Sequence, residues 1–83
     1  MNYIKINEEG RTWFACRCKD SLFMNPVYKA KKDKVYYIAK ADTEGSVIIK
    51  GSFYDMDSFG CYTETRFECE ASRIRDNFEY ILQ

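Results

Sequence analysis

Between Leu22 and Phe67 the chain is a succession of short apolar-aromatic runs, each broken within a few positions by turn-forming residues. Leu22–Ala30, Tyr36–Ile38 and Thr65–Glu68 carry the runs, and Asp42-Thr43-Glu44-Gly45 is the clearest break. Strands of this length, turned this often, are what a small β-barrel needs.

At 83 residues the chain makes one domain, spanning 1–83, near the lower limit for an independent hydrophobic core. Seven Tyr, six Phe and one Trp offset that handicap, since each large ring buries much apolar area. The first hairpin is expected from a strand at Tyr3–Ile6, a turn at Asn7–Gly10 and a second strand at Arg11–Cys18. A loop over Lys19–Pro26 leads to a strand at Val27–Lys32, with Tyr28 and Ala30 inward and the lysines outward. Val35–Lys40 follows, with Tyr36 and Ile38 inward, and Gly45 suits the left-handed position that ends the turn before Ser46–Lys50. Gly51–Gly60 reads as a long aromatic loop, Tyr62–Phe67 as a short helical turn, and Phe67–Glu70 as a last barrel strand. From Ser72 the period changes: Ile74, Phe78, Ile81 and Leu82 fall at helical spacing behind a Ser72 N-cap. Phe78, Tyr80 and Leu82 also alternate, so a terminal strand stays open.

Four cysteines, Cys16, Cys18, Cys61 and Cys69, raise disulfides and zinc. No signal-peptide pattern or membrane-length apolar run occurs, so a cytoplasmic location is expected and stable disulfides are not. Only Arg17 separates Cys16 from Cys18, too close for the usual zinc-ligand pair, and Cys61 and Cys69 are too far apart. Phe14, Cys16 and Cys18 share one strand face, as do Phe67 and Cys69, which predicts buried core thiols.

Histidine is absent, which removes the usual neutral-pH base and the commonest metal ligand. Asp55-x-Asp57 lacks the further oxygen ligands of a calcium loop. No phosphate-binding glycine loop or nucleophile motif is present. A non-catalytic protein without cofactor is expected.

Two segments are candidate binding surfaces. The first is the loop of Phe53, Tyr54, Met56 and Phe59 with Asp55, Asp57 and Glu64, where aromatics and methionine supply contact area and the acids steer a basic protein partner. The plainer reading folds Phe53, Phe59 and Tyr62 inward as a barrel plug and leaves Tyr54 and Met56 outside. The second is Lys29, Lys31, Lys32 and Lys34, with Lys40 and Tyr37, able to grip single-stranded nucleic acid by phosphate attraction and base stacking. The plainer reading there is a solvated face whose lysines guard a barrel edge. Charge is uneven: residues 1–40 hold nine Lys/Arg against four Asp/Glu, and residues 41–83 the reverse.

Leu22, Val27-Tyr28-Lys29-Ala30, Tyr36-Tyr37-Ile38, Asp42 through Gly45, and Arg66-Phe67 stand in an order that resembles the short SH3-like barrel proteins of phages and prophages. That resemblance implies an SH3-like barrel, here with an added N-terminal hairpin and a short C-terminal helix. It also implies a protein that works by binding, often as an inhibitor or modulator of a host protein. Single-stranded nucleic-acid binding and homo-oligomerisation are the alternatives.

Overall fold

The computed structural model describes residues 2–83 and is mainly β. Strands β1 (Lys5–Glu8) and β2 (Arg11–Cys18) form the first hairpin. Its two-residue turn uses Glu9 and Gly10, both at positive φ (56° and 70°), the twist that matches flanking strands. The opening strand starts two residues later than its apolar pattern suggested; Tyr3 forms only an isolated bridge to Leu82.

The expected Lys19–Pro26 loop contains a short strand, β3 (Leu22–Phe23), which forms a hairpin with β4 (Tyr28–Ala30). The Asn25 side chain closes it, Oδ1 accepting from the Val27 and Tyr28 amides at 2.8 Å each. Strand β5 (Val35–Lys40) has the expected bounds, with Tyr36 and Ile38 buried. Gly45, at φ 82°, then ends the turn into β6 (Ser46–Asp55), which is followed by β7 (Tyr62–Glu70). A single helical turn, α1 (Ala71–Ile74), a 3-10 turn (Arg75–Asn77) and strand β8 (Phe78–Tyr80) complete the chain.

All eight strands join one antiparallel sheet, which is not closed into a barrel. Strand β2 carries β5 on one edge and, end to end on the other, β1 and β8. Strand β6 likewise carries β5 beside Val47–Lys50 and β4 beside Tyr54–Asp55, while β7 runs along its whole other edge. One face of this curved sheet holds the core, including Cys16, Cys18, Tyr36, Ile38, Ile49 and Phe53, closed by Met24, Ile74 and Phe78. Tyr36 anchors it, its ring 4.8 Å from Phe53 and edge-on to Phe78 at 5.7 Å. On the other face Trp13 is fully buried beneath Lys50 and Arg66, whose charged groups lie 4.0 and 5.5 Å from its ring.

Three expectations are corrected. Gly51–Asp55 is strand rather than loop: Gly51, at φ 156°, continues β6 and its missing side chain leaves room for the Tyr36 ring. Tyr62–Phe67 is strand rather than helical, since strict alternation and β-branched Thr63 and Thr65 suit the pleat. The C-terminal helix is one turn only. Ser72 does not cap it; Glu70 is the N-cap residue and makes no side-chain cap bond. Beyond it the backbone takes up the free edge of β2, Phe78 opposite Cys18 and Tyr80 opposite Cys16. No helix among the described residues is long and apolar enough to cross a membrane.

Candidate ligand-binding face

Successive cross-strand pairs place Phe23 opposite Lys29, Lys29 opposite Tyr54, and Tyr54 opposite Tyr62. Directly opposed residues share a sheet face, so these four side chains form one row across β3, β4, β6 and β7. Since Tyr28, Ala30 and Phe53 take the core side, the row lies on the outer face. Lysines cover its rings: Lys29 Nζ is 4.9 Å from the Phe23 centroid, Lys31 5.1 Å from Tyr54 and Lys34 4.6 Å from Tyr62. The Tyr54 and Tyr62 rings meet edge to face at 5.7 Å. Phe23 and Tyr62 are exposed, and Tyr54 is half-buried.

Among the described residues, none of Lys29, Lys31, Lys32 and Lys34 forms an ion pair. Elsewhere Arg11, Arg17, Lys50 and Arg66 are all matched to carboxylates. A cation–π contact at an exposed site contributes about 0.5–1 kcal/mol and leaves the charge unneutralised. The row therefore presents aromatic rings covered by lysines that have no carboxylate partner among the described residues. Ser21 steadies the approach to it, its Oγ accepting from the Lys32 amide at 2.9 Å.

Of the lysine-face residues read from the sequence, Lys29, Lys31 and Lys34 join this row. Lys32 is exposed beside it. Tyr37 does not join: it stands on β5 opposite Lys50 and Ala15, in a separate row with Arg66. Lys40 is farther still, paired with Val47.

The aromatic loop divides. Phe53 is fully buried in the core, which corrects its assignment as a contact residue. Asp55 is also buried, and its role is to hold the turn rather than to steer a partner. Its Oδ1 accepts from the Asp57 amide at 2.9 Å, and Oδ2 accepts from the Ser58 and Thr63 hydroxyls at 3.1 and 3.3 Å. That scaffold exposes Met56, Asp57 and Phe59 at the tip, with Phe59 fully in solvent rather than plugging the interior. Glu64 is exposed on β7 and accepts from the Ser52 hydroxyl. Tyr54 is the one loop candidate that meets the lysines, so two segments separate in sequence converge on one ring.

Phe23 and Tyr62 were not among the sequence candidates for a binding surface. Their alternation with inward Leu22 and Thr63 was available as a signal, but the register that aligns them with Tyr54 was not. Also missed is a cleft of ≈ 620 Å³ between the Thr43–Ser46 turn and the C-terminal segment, with Ile38, Val47, Ile74 and Phe78 in its wall and Glu44 and Glu70 at its rim.

The cysteine set is not gathered. Cys16 and Cys18 are buried, Cys69 is half-buried and Cys61 is exposed, all as free thiols. No group of three or more Cys, Asp or Glu among the described residues is placed to hold a metal ion. Burial pushes the Cys16 thiol up to about 12 and raises Cys18 and Cys69 as well, which keeps all three protonated at neutral pH. Comparison with family models, curated proteins and solved structures finds no match to this chain.

Proposed function

We propose that this is a non-catalytic binding protein whose outer face takes single-stranded nucleic acid. The observation that carries the reading is the Phe23–Lys29–Tyr54–Tyr62 row, with Lys31 and Lys34 over its rings and, among the described residues, no ion pair on any of the three lysines. Bases stack on aromatic faces while phosphates draw lysines, and a row of rings with lysines over them offers both together. In the free protein the lysines rest on the rings; a bound strand exchanges those contacts for phosphate contacts and base stacking. Fluorescence anisotropy with a labelled oligothymidylate at rising salt tests this. Affinity is expected to fall linearly in log–log form, and Lys31→Gln and Lys34→Gln each reduce the slope by about 0.7, the single-strand value per phosphate contact. Absence of binding at low salt overturns it.

The strand order β8-β2-β5-β6-β7, with a 3-10 turn before the last strand, supports reading the fold as an SH3-like barrel left open, with β1 as an addition. A second function, protein binding of the kind the phage resemblance implies, is favoured by one observation: Phe59 stands fully in solvent beside exposed Met56 and Asp57. A pull-down from bacterial lysate separates the two. A stoichiometric protein retained after nuclease and lost in Phe59→Ser favours the second; recovery that vanishes with nuclease favours the first.

A further inference from the structure

Strand β7 is paired on one edge only. At the two ends of its ladder the Asp55 amide donates to the Cys61 carbonyl and the Ala71 amide to the Gly45 carbonyl, each at 2.9 Å. The register between them has no slip, so the odd-numbered residues bond to β6. Tyr62, Glu64, Arg66 and Glu68 therefore turn their amides and carbonyls to the other edge, while the Glu70 carbonyl, at the N-cap of α1, serves the helical turn. Among the described residues nothing in the chain bonds to that edge.

We propose that a second copy of this chain occupies it, β7 against β7 in antiparallel order about a two-fold axis at Thr65. Charge selects this register. An axis at Arg66 would set Arg66 on itself and Glu64 on Glu68, and an axis at Glu64 would set Glu64 on itself. An axis at Phe67 would gain Arg66 against Glu68 but oppose Glu64 to Glu70. With the axis at Thr65, Glu64 faces the partner's Arg66, and the two-fold makes that pair twice with no like charges opposed. Arg66 then lies between its own Glu9, bound at 2.7 and 2.9 Å, and the partner's Glu64.

The cysteines supply an independent match. The same axis sets Cys61 opposite the partner's Cys69, on one face, in a pair that exchanges no ladder hydrogen bonds. Such pairs bring Cα atoms to about 4.5 Å, inside the disulfide range of about 4.4–6.8 Å. The dimer stands whether or not the lysine row binds nucleic acid.

Light scattering on the reduced full chain is expected to give twice the 9.9 kDa monomer mass at high concentration. Glu64→Pro removes an amide that points to the free edge while leaving every backbone bond to β6, at the loss of the exposed Ser52–Glu64 side-chain bond, and it is expected to give a folded monomer by circular dichroism. Diamide then maps the register: it takes two electrons and two protons from a thiol pair as the disulfide forms. Peptide mapping is expected to find Cys61 joined to Cys69, with the cross-link lost in Cys61→Ser and in Cys69→Ser. A monomer mass with no Cys61–Cys69 link, a link between two copies of Cys61, or a dimer that survives in Glu64→Pro overturns the proposal.

Discussion

Cδ2 of Tyr36 stands 2.6 Å from the point that a Cβ on Gly51 would occupy. No other residue type fits there, because the ring is fully buried and its hydroxyl is fixed by the Lys31 amide at 3.0 Å. Gly51 stands between the two stretches of β6 that serve different neighbours, Val47–Lys50 against β5 and Tyr54–Asp55 against β4. Gly51→Ala is expected to cost about 1–3 kcal/mol in overpacking, with backbone strain in addition. Gly45→Ala, with nothing within 4 Å of its Cβ position, carries strain alone and should cost about 1 kcal/mol. Urea titration of both variants measures the difference, and equal midpoints would remove Tyr36 as its cause.

Tyr54→Ala and Tyr62→Ala are expected to weaken oligonucleotide binding by about 1–3 kcal/mol each, the value of a stacked base. Both rings lie on the outer face, so the fold should survive by thermal melt. Phe59→Ser, outside the row, should leave oligonucleotide affinity unchanged. If Phe59→Ser weakens binding as much as Tyr54→Ala does, the ligand contacts the loop tip and the row is the wrong surface.

Much of the fold was legible because local chemistry and tertiary need agree. The Glu9-Gly10 turn, the Asp42–Gly45 turn, and inward Tyr36 and Ile38 all follow from positive-φ positions and period-two alternation. Failures came where a long-range contact decided. Phe78 has helical spacing to Ile74, yet the unpaired edge of β2 and the Tyr36 ring draw it into a strand. The site was half legible for the same reason. Lys29, Lys31 and Tyr54 were each visible, but only the strand register sets Lys29 opposite Tyr54, and only the folded connection after β4 brings Lys31 over its ring. Phe53 and Asp55 looked like surface residues because Gly51 and Gly60 bracket them as turn residues would, although β6 runs on through Gly51.

Acid should loosen the first hairpin before the core. Glu9 is held down at about 2, chiefly by hydrogen bonds from Arg66, with the charges of Arg66 and Lys50 adding to the effect. Its ordinary value is 4.5, so its stabilising contribution is complete above about pH 4.5 and is lost as pH falls toward 2. The pair is exposed, so salt should weaken it as well. Trp13, covered by Lys50 and Arg66 with Nε1 donating to the Glu8 carbonyl at 3.1 Å, reports the change. Its emission is expected to shift red between pH 4.5 and 2, and Glu9→Gln should flatten that transition. An unchanged transition in Glu9→Gln would assign it to another carboxylate.

Thiol reactivity should follow burial in a fixed order. Cys61 is exposed, Cys69 is half-buried, and Cys16 and Cys18 are closed off inside the core. The thiolate is the reactive form, and burial raises the Cys16, Cys18 and Cys69 thiols, Cys16 to about 12. Iodoacetamide at neutral pH is expected to modify Cys61 first and Cys69 more slowly. Cys16 and Cys18 should react only on unfolding, so their labelling rate measures global opening of the sheet. Their protection should fall in Gly51→Ala by the same free energy that urea reports. Rapid labelling of Cys16 or Cys18 in the native protein would show that β2 and β8 open independently of the rest.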